Sequence, residues 1–283
     1  MGNIKLFADS TCDLPKAEID KMDIDIIPLL VTFEEDSFRD GSEITAGDLF
    51  KLVEQKKMLP KTSAPSPVDF YNAFKPYVDD GKSIVYIGLS SKISSTIQNA
   101  KLAAEHFENG KVHVIDSLNL CVGIGALITN TYNYINIGME VQDVVNKVTE
   151  LIPNYKLYFT VDTLDYLHMG GRLSSTQALF GNMLNIKPVI SMSADGLDVW
   201  KKTRGKKKAI NLMAEEVTAD KDRILNGEIH IGCAFGNEKE RDILKNMIIE
   251  STGITKFKEY ILGCVISSHC GESTVGLGYF LNN

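Results

Sequence analysis

SIVYIGLSSKISSTIQN, residues Ser83 to Asn99, sets an apolar run directly against a hydroxyl-rich turn and then a helix. Ile84, Val85, Tyr86 and Ile87 follow the Asp80-Gly81 turn signal and read as a buried strand that ends at Leu89. Ile93, Ile97, Ala100, Ala104 and Phe107 then recur at steps of four and three, one face of a helix ending near Asn109-Gly110. Between strand and helix lie Ser90, Ser91, Ser94, Ser95 and Thr96. Hydroxyls at a helix start cap backbone N–H groups, and the same groups with the positive end of the helix dipole favour an anion. Helix cap and anion seat both satisfy the pattern, but one cap does not use five hydroxyls.

Outward from this stretch the pattern repeats. Ile4 to Ala8 is an apolar strand running into Asp9-Ser10-Thr11-Cys12-Asp13-Leu14-Pro15. Ile24 to Phe33 reads as a single strand, and Thr45 to Lys57 as a helix with Thr45 as N-cap. In Lys61 to Pro67, KTSAPSP, two prolines fix the backbone while Thr62, Ser63 and Ser66 offer hydroxyls ahead of a helix from Val68 to Asp79. Val112 to Ile115 is a further strand, ending in Asp116-Ser117. Alternating strands and helices predict a largely parallel sheet with helices on both faces, whose ligands bind beyond the carboxyl ends of the strands. The turns after Ala8, Leu89 and Ile115 would gather at that edge.

Helices over Leu118 to Asn136 and Val141 to Ile152 close this half, and Pro153-Asn154 marks a boundary between an N-terminal α/β domain, 1–153, and a C-terminal mixed α/β domain, 154–283. In the second half Leu157 to Val161, Ile186 to Met192, Leu197 to Thr203, Ile229 to Phe235, Tyr260 to Ser267 and Val275 to Leu281 read as strands. Asp195-Gly196 is a hairpin signal. Thr163 to Met169, Lys206 to Leu225 and Glu238 to Glu250 read as helices.

The chain has 283 residues, 44% hydrophobic and 24% charged, with a formal net charge of −7. That charge argues against a general nucleic-acid or anionic-membrane surface. The start, MGNIKLFADSTCD, has no secretory apolar region, and Leu6 does not fit a myristoylation signal. The longest apolar stretch, Leu118 to Ile128, is well short of the ~20 residues a spanning helix needs. Five scattered cysteines, Cys12, Cys121, Cys233, Cys264 and Cys270, read as free thiols in a reducing cytoplasm.

His269 lies in Ser267-Ser268-His269-Cys270-Gly271-Glu272, read here as the turn after a strand from Gly263 to Ile266. A histidine there can donate to a carboxylate or phosphate, or simply face solvent. Arg172 follows Gly170-Gly171 and could reach an anion; Arg204 opens the basic run Arg204-Gly205-Lys206-Lys207-Lys208 at a helix start, where cations oppose the dipole. Cys264, His269 and Cys270 lack a fourth ligand and a recognised zinc spacing, so no metal is expected. There is no Walker loop, no G-x-S-x-G elbow and no H-E-x-x-H motif. No nucleophile with a nearby base is visible.

Taken together, Asp9-Ser10-Thr11-Cys12-Asp13-Leu14-Pro15, Thr62-Ser63-Ala64-Pro65-Ser66-Pro67, Ser90 to Thr96, Asp116-Ser117, Tyr166-Leu167 through Gly170-Gly171-Arg172-Leu173, Asn185-Ile186-Lys187-Pro188, and Ser268-His269 followed by Gly271 resemble, in order, the DegV family of fatty-acid-binding proteins. The resemblance implies a two-domain α/β fold that holds one long-chain fatty acid, such as palmitate or oleate, with its tail in an apolar tunnel and its carboxylate between the domains. By motif it implies that Thr62, Ser63, Ser94 and Ser95 hold the carboxylate with His269 nearby. Some members present the acid to a separate ATP-dependent kinase, resembling dihydroxyacetone kinases, that forms acyl phosphate. Arg172 and Arg204 are then candidates for contacting that kinase or the phosphate. The chain itself would be a non-catalytic acyl-binding subunit without a cofactor. It departs from the family pattern at Ser95, where glycine is usual, at Ile97, where tyrosine is frequent, and at Cys270-Gly271-Glu272 in place of Thr-Gly-Pro. Two other classes fit the residues alone: a stand-alone hydrolase or phosphotransferase using His269 and a serine, and a binding module for a small anion.

Overall fold

The computed structural model describes residues 3–173 and 186–282. In the first half, strands β1 (Ile4–Asp9), β2 (Asp25–Ile27), β3 (Leu30–Phe33), β4 (Asp36–Arg39), β5 (Lys61–Ser63), β6 (Ser83–Gly88) and β7 (Val112–Asp116) are joined by helices α1 (Lys16–Met22), α2 (Ala46–Lys56), α3 (Pro67–Asp79) and α4 (Thr96–Ala104). Strands β2-β1-β6-β7 form a parallel sheet, as the alternation predicted. Its carboxyl edge collects the turns after Asp9, Gly88 and Asp116. Strands β4-β3-β5 form a separate antiparallel sheet.

Helices α5 (Val122–Asn136) and α6 (Val141–Leu151) lead to β8 (Tyr155–Thr160), α7 (Asp165–Met169), β9 (Ile186–Ser193), β10 (Gly196–Arg204), α8 (Lys206–Asp220), β11 (Glu228–Cys233), α9 (Glu238–Thr252), β12 (Lys256–Ile261), α10 (Cys264–Cys270) and β13 (Val275–Phe280). The second sheet runs β10-β9-β8-β13-β11-β12 and mixes antiparallel with parallel pairs. The chain thus has a parallel-sheet domain and a mixed-sheet domain.

One buried cluster spans both: Leu6 and Val85 of the parallel sheet, Ile124 and Leu127 of α5, Leu157 of β8 and Ile266 of α10 all belong to it. Full burial of each such side chain contributes about 1.5–3 kcal/mol. The outer face of the parallel sheet has its own aromatic cluster, Phe7, Phe70, Phe74 and Tyr86, beneath α3 and α4. Helix α5 lies between the two sheets, close enough that a Cβ on Gly125 would collide with the Tyr260 ring.

Several sequence expectations change. Ile24 to Phe33 is two strands in different sheets. Pro28 offers no N–H to a ladder, and Leu29 instead donates its N–H to Ser10 Oγ (3.1 Å). The expected strand from Gly263 to Ile266 is the start of helix α10. Its first N–H groups are capped from a distance: Asp40, buried and 224 residues away, accepts from Cys264 N–H at 2.9 Å. The Val265 N–H lies at 3.5 Å from the same carboxylate. No local pattern reveals such a cap. Helix α5 starts at Val122 rather than Leu118, because Leu118 and Cys121 hold positive φ values of 47° and 43°. Lys61–Ser63 is a short strand rather than a loop, and Ser66 with Asp69 forms a capping box for α3. Helix α4 is shorter at both ends than expected, and α8 stops at Asp220. Asn185, which opens one of the motifs, lies outside the described residues.

Candidate functional site

The carboxyl edge of the parallel sheet is tied together before any ligand is considered. Asp9 ends β1 fully buried; its Oδ2 accepts from the Tyr86 hydroxyl (2.9 Å) and the Leu89 N–H (2.8 Å), and its Oδ1 from the Thr11 N–H (3.0 Å). Burial pushes its pKa up. The Ser91 N–H reaches Asp116 Oδ1 (3.2 Å), and the Ser90 N–H reaches the Asn119 carbonyl (3.0 Å). These bonds fix the loop from Ser90 to Ser95.

Within that loop only the Ser94 hydroxyl is spent on the first N–H of α4. Ser95 stands at the N-cap position of α4 without a side-chain cap bond. Ser94 Oγ accepts from the Thr96 N–H (3.2 Å) and pairs with the Thr96 hydroxyl (2.7 Å). Ile93, expected inside the helix, precedes it and faces a cavity of about 350 Å³. Such a volume is at the lower end of the range of about 300–1,000 Å³ usual for small-molecule sites.

Thr62, Ser63, Ser94, Ser95, Arg172 and His269 all line that cavity, opposite apolar walls from Leu29, Leu89, Leu120, Leu167, Leu197, Val265 and Ile266. The fold therefore brings together residues spread over most of the chain. Arg204 is not among the lining residues; it ends β10, exposed to solvent. Lys206 beside it pairs with Glu240 (2.6 Å) and Asp162 (3.7 Å), which offsets part of the charge at the start of α8.

His269 sits in the last turn of α10, not in the turn expected from sequence. Its Nε2 lies 2.8 Å from Thr62 Oγ1. Burial, and then the nearby Arg172 charge, lowers its pKa to about 4, so the ring is neutral at physiological pH. Gly170 makes room for the ring: a Cβ there would collide with His269 Nδ1. Arg172 is held in the cavity wall, with Nε donating to the Ile93 carbonyl (3.2 Å) and Nη1 to the Gly170 carbonyl. It thereby links the loop after β6 to the segment after α7.

This geometry does not support hydrolysis by His269 and a serine. Among the described residues no serine hydroxyl bonds to His269, and a histidine with a pKa of about 4 is a weak base at neutral pH. Among the described residues no group of three His, Cys, Asp or Glu side chains is arranged to hold a metal ion. Among the same residues no helix is long and apolar enough to cross a membrane, and all five cysteines are free and buried. Sequence reasoning missed two supporting residues. Gly170 enters the sequence reading only through the Gly170-Gly171 pair before Arg172, with no contact to His269 foreseen, and Asp40, which caps α10, the helix that carries His269, has no signal beyond the Asp40-Gly41 turn dipeptide.

The fold and site define a class: an α/β protein with an amphipathic cavity enclosed between a parallel-sheet and a mixed-sheet domain. Residues 3–282 match the family model described as "Uncharacterised protein, DegV family". The chain belongs to the DegV family. It is 34% identical over 278 residues to a DegV domain-containing protein of Clostridium acetobutylicum, covering 98% of each chain. Among solved structures it is similar to a DegV family protein of Thermus thermophilus described for its fatty acid binding, with a TM-score of 0.90, 29% identity, and 98% and 99% of the two chains covered. It is likewise similar to DegV of Bacillus subtilis, described as a fatty acid binding protein, with a TM-score of 0.88 and 28% identity over 100% of both chains. A stearic acid-binding protein of Eubacterium ventriosum matches with a TM-score of 0.87 and 27% identity over 98% of both chains.

Proposed function

We propose that this protein binds one long-chain fatty acid, such as palmitate or oleate, in the cavity between its two domains. The carrying observation is that Thr62, Ser63, Ser94, Ser95 and His269 line one cavity whose remaining wall, Arg172 apart, is mostly apolar. A carboxylate accepts hydrogen bonds and needs donors. If His269 Nε2 carries the proton it donates to Thr62 Oγ1, which leaves the Thr62 hydroxyl hydrogen for the ligand. The serine hydroxyls add further donors. Because the ring is neutral, His269 offers the head group no ion pair, while the tail supplies most of the affinity at about 0.8 kcal/mol per buried CH₂. The fatty acid binding described for the Thermus, Bacillus and Eubacterium relatives supports the same reading.

The chain has no nucleotide loop, so the next step in our reading belongs to a partner: a separate ATP-dependent kinase, resembling dihydroxyacetone kinases, phosphorylates the presented carboxylate. Arg172 in the cavity wall and the exposed Arg204 are the residues we assign to contacting that kinase or the new phosphate. We place the protein in the cytoplasm, where its five free thiols stay reduced. Mass spectrometry of an organic extract of the purified protein tests the binding step. A stoichiometric long-chain fatty acid is expected; no bound lipid, together with no binding of added oleate or palmitate, refutes it. Ser94→Ala combined with His269→Ala should abolish acyl-phosphate formation with a cognate kinase, and full activity in that variant refutes the site.

A further inference from the structure

Resting on the fatty-acid reading, we infer that the paired glycines Gly232 and Gly276 floor the end of the acyl channel and set the longest chain the protein accepts. Behind the main cavity lies a second chamber of about 30 Å³. Leu120, Ile266 and Cys270 line both spaces, so their side chains form the partition between them. Ile266 and Cys270 flank His269 on α10, so one short helix carries the head-group contact and the channel wall. The chamber wall is wholly apolar. Thr274, which borders it, turns its hydroxyl to the carbonyls of Cys270 and Gly271, each 2.9 Å away. One water-sized group needs about 10–15 Å³ and two to four polar partners to remain as water. The chamber therefore has room for the last one or two carbons of a tail and nothing to hold a water.

Gly232 on β11 and Gly276 on β13 are direct partners in the antiparallel ladder. Directly paired residues present their side chains on the same face of the sheet, so this pair leaves that face bare beneath α5. Tight packing explains Gly276 on its own: a Cβ there would meet the Tyr158 carbonyl oxygen at 2.8 Å and Phe159 Cβ at 2.5 Å. At Gly232 a Cβ would press on the β-branched Val122 Cγ1 at 2.9 Å, with Leu262 Cδ1 and Tyr260 Cβ at 3.6 Å, so packing favours glycine there too, and Val122 and Leu262 themselves line the chamber. A methyl added at either glycine therefore pushes on side chains that wall the chamber. The larger groove of about 730 Å³ near Asn119 and Met192 shares no lining residue with the main cavity, which favours the glycine-floored chamber as the tail's route.

The experiment measures Kd for a series of saturated fatty acids of increasing length on the purified full chain, wild type, Gly232→Ala, Leu157→Ala and, for the alternative groove, Met192→Ala. Leu157 lines the chamber and its truncation enlarges it. In the wild type, affinity should rise about fourfold per added methylene, the equivalent of about 0.8 kcal/mol, until the chamber is full. Gly232→Ala should move that limit down by one or two methylenes and leave shorter acids within twofold of wild type. Leu157→Ala should move it up, and decides the matter if Gly232→Ala does not fold. An unchanged limit in the folded variants, or a limit that moves only with Met192→Ala, overturns the inference while leaving the carrier reading intact. Failure of the wild type to bind an acid of any length refutes the carrier reading itself.

Discussion

A histidine held neutral by burial makes stability depend on pH, and His269 allows the effect to be worked out. Its folded pKa is about 4 and its ordinary value 6.5. Between those values the unfolded chain binds a proton that the folded chain refuses, so the stability associated with this group is fully present above pH 6.5 and is lost as pH falls through 4. At pH 4.5 the loss relative to neutral pH is about 2.5 kcal/mol. Buried carboxylates work in the opposite sense: Asp9, Asp13 and Asp40 all have pKa values raised by burial, so each contributes stability at low pH that is lost as pH rises. The total pH profile therefore mixes signs, and the difference between wild type and His269→Asn isolates the imidazole. Urea unfolding of both proteins at pH 7 and pH 4.5 gives that difference. We expect wild type to lose about 2.5 kcal/mol more than the variant over this interval. A difference below about 0.5 kcal/mol, or an imidazole resonance titrating near its ordinary pKa, would refute the burial argument. Added oleate should raise the His269 pKa, since an anion beside the ring favours its charged form.

Asp40→Ala removes the cap from α10 and leaves two buried N–H groups unpaired, which should cost about 2 kcal/mol in urea unfolding and weaken oleate binding with it; unchanged stability would mean that α10 starts without help from the first half of the chain. Gly170 has ordinary helical geometry, with φ −71°, so Gly170→Ala strains no backbone and acts only by pushing on His269. Its expected result is a displaced ring and about a tenfold loss of oleate affinity by calorimetry, the low end of what overpacking costs; wild-type affinity would show that the ring position is immaterial.

Most of the architecture is legible in the sequence because the parallel sheet announces itself locally. The apolar runs at Ile4 and Ile84 are short and bounded, and the helices after them carry their periodicity openly. The hydroxyl turns at the sheet edge follow from topology once the strands are parallel. The illegible features that shape the candidate site depend on contacts distant in the chain. Val265 and Ile266 are as apolar as a strand, and only the carboxylate of Asp40 decides for a helix. The same contact bears on the candidate site, because a strand over Gly263 to Ile266 would have placed His269 in a loop. As the structure stands, α10 aims His269 at Thr62 and turns Ile266 and Cys270 toward the channel. Gly170 is a parallel case: its sequence neighbours make it look like a hinge, and its actual constraint is an imidazole from the far end of the chain. The site could be named from motifs, but its geometry is written in pairs of residues 40 with 264, 62 with 269 and 170 with 269. Each pair joins residues about 100 or more positions apart, beyond the reach of any local periodicity.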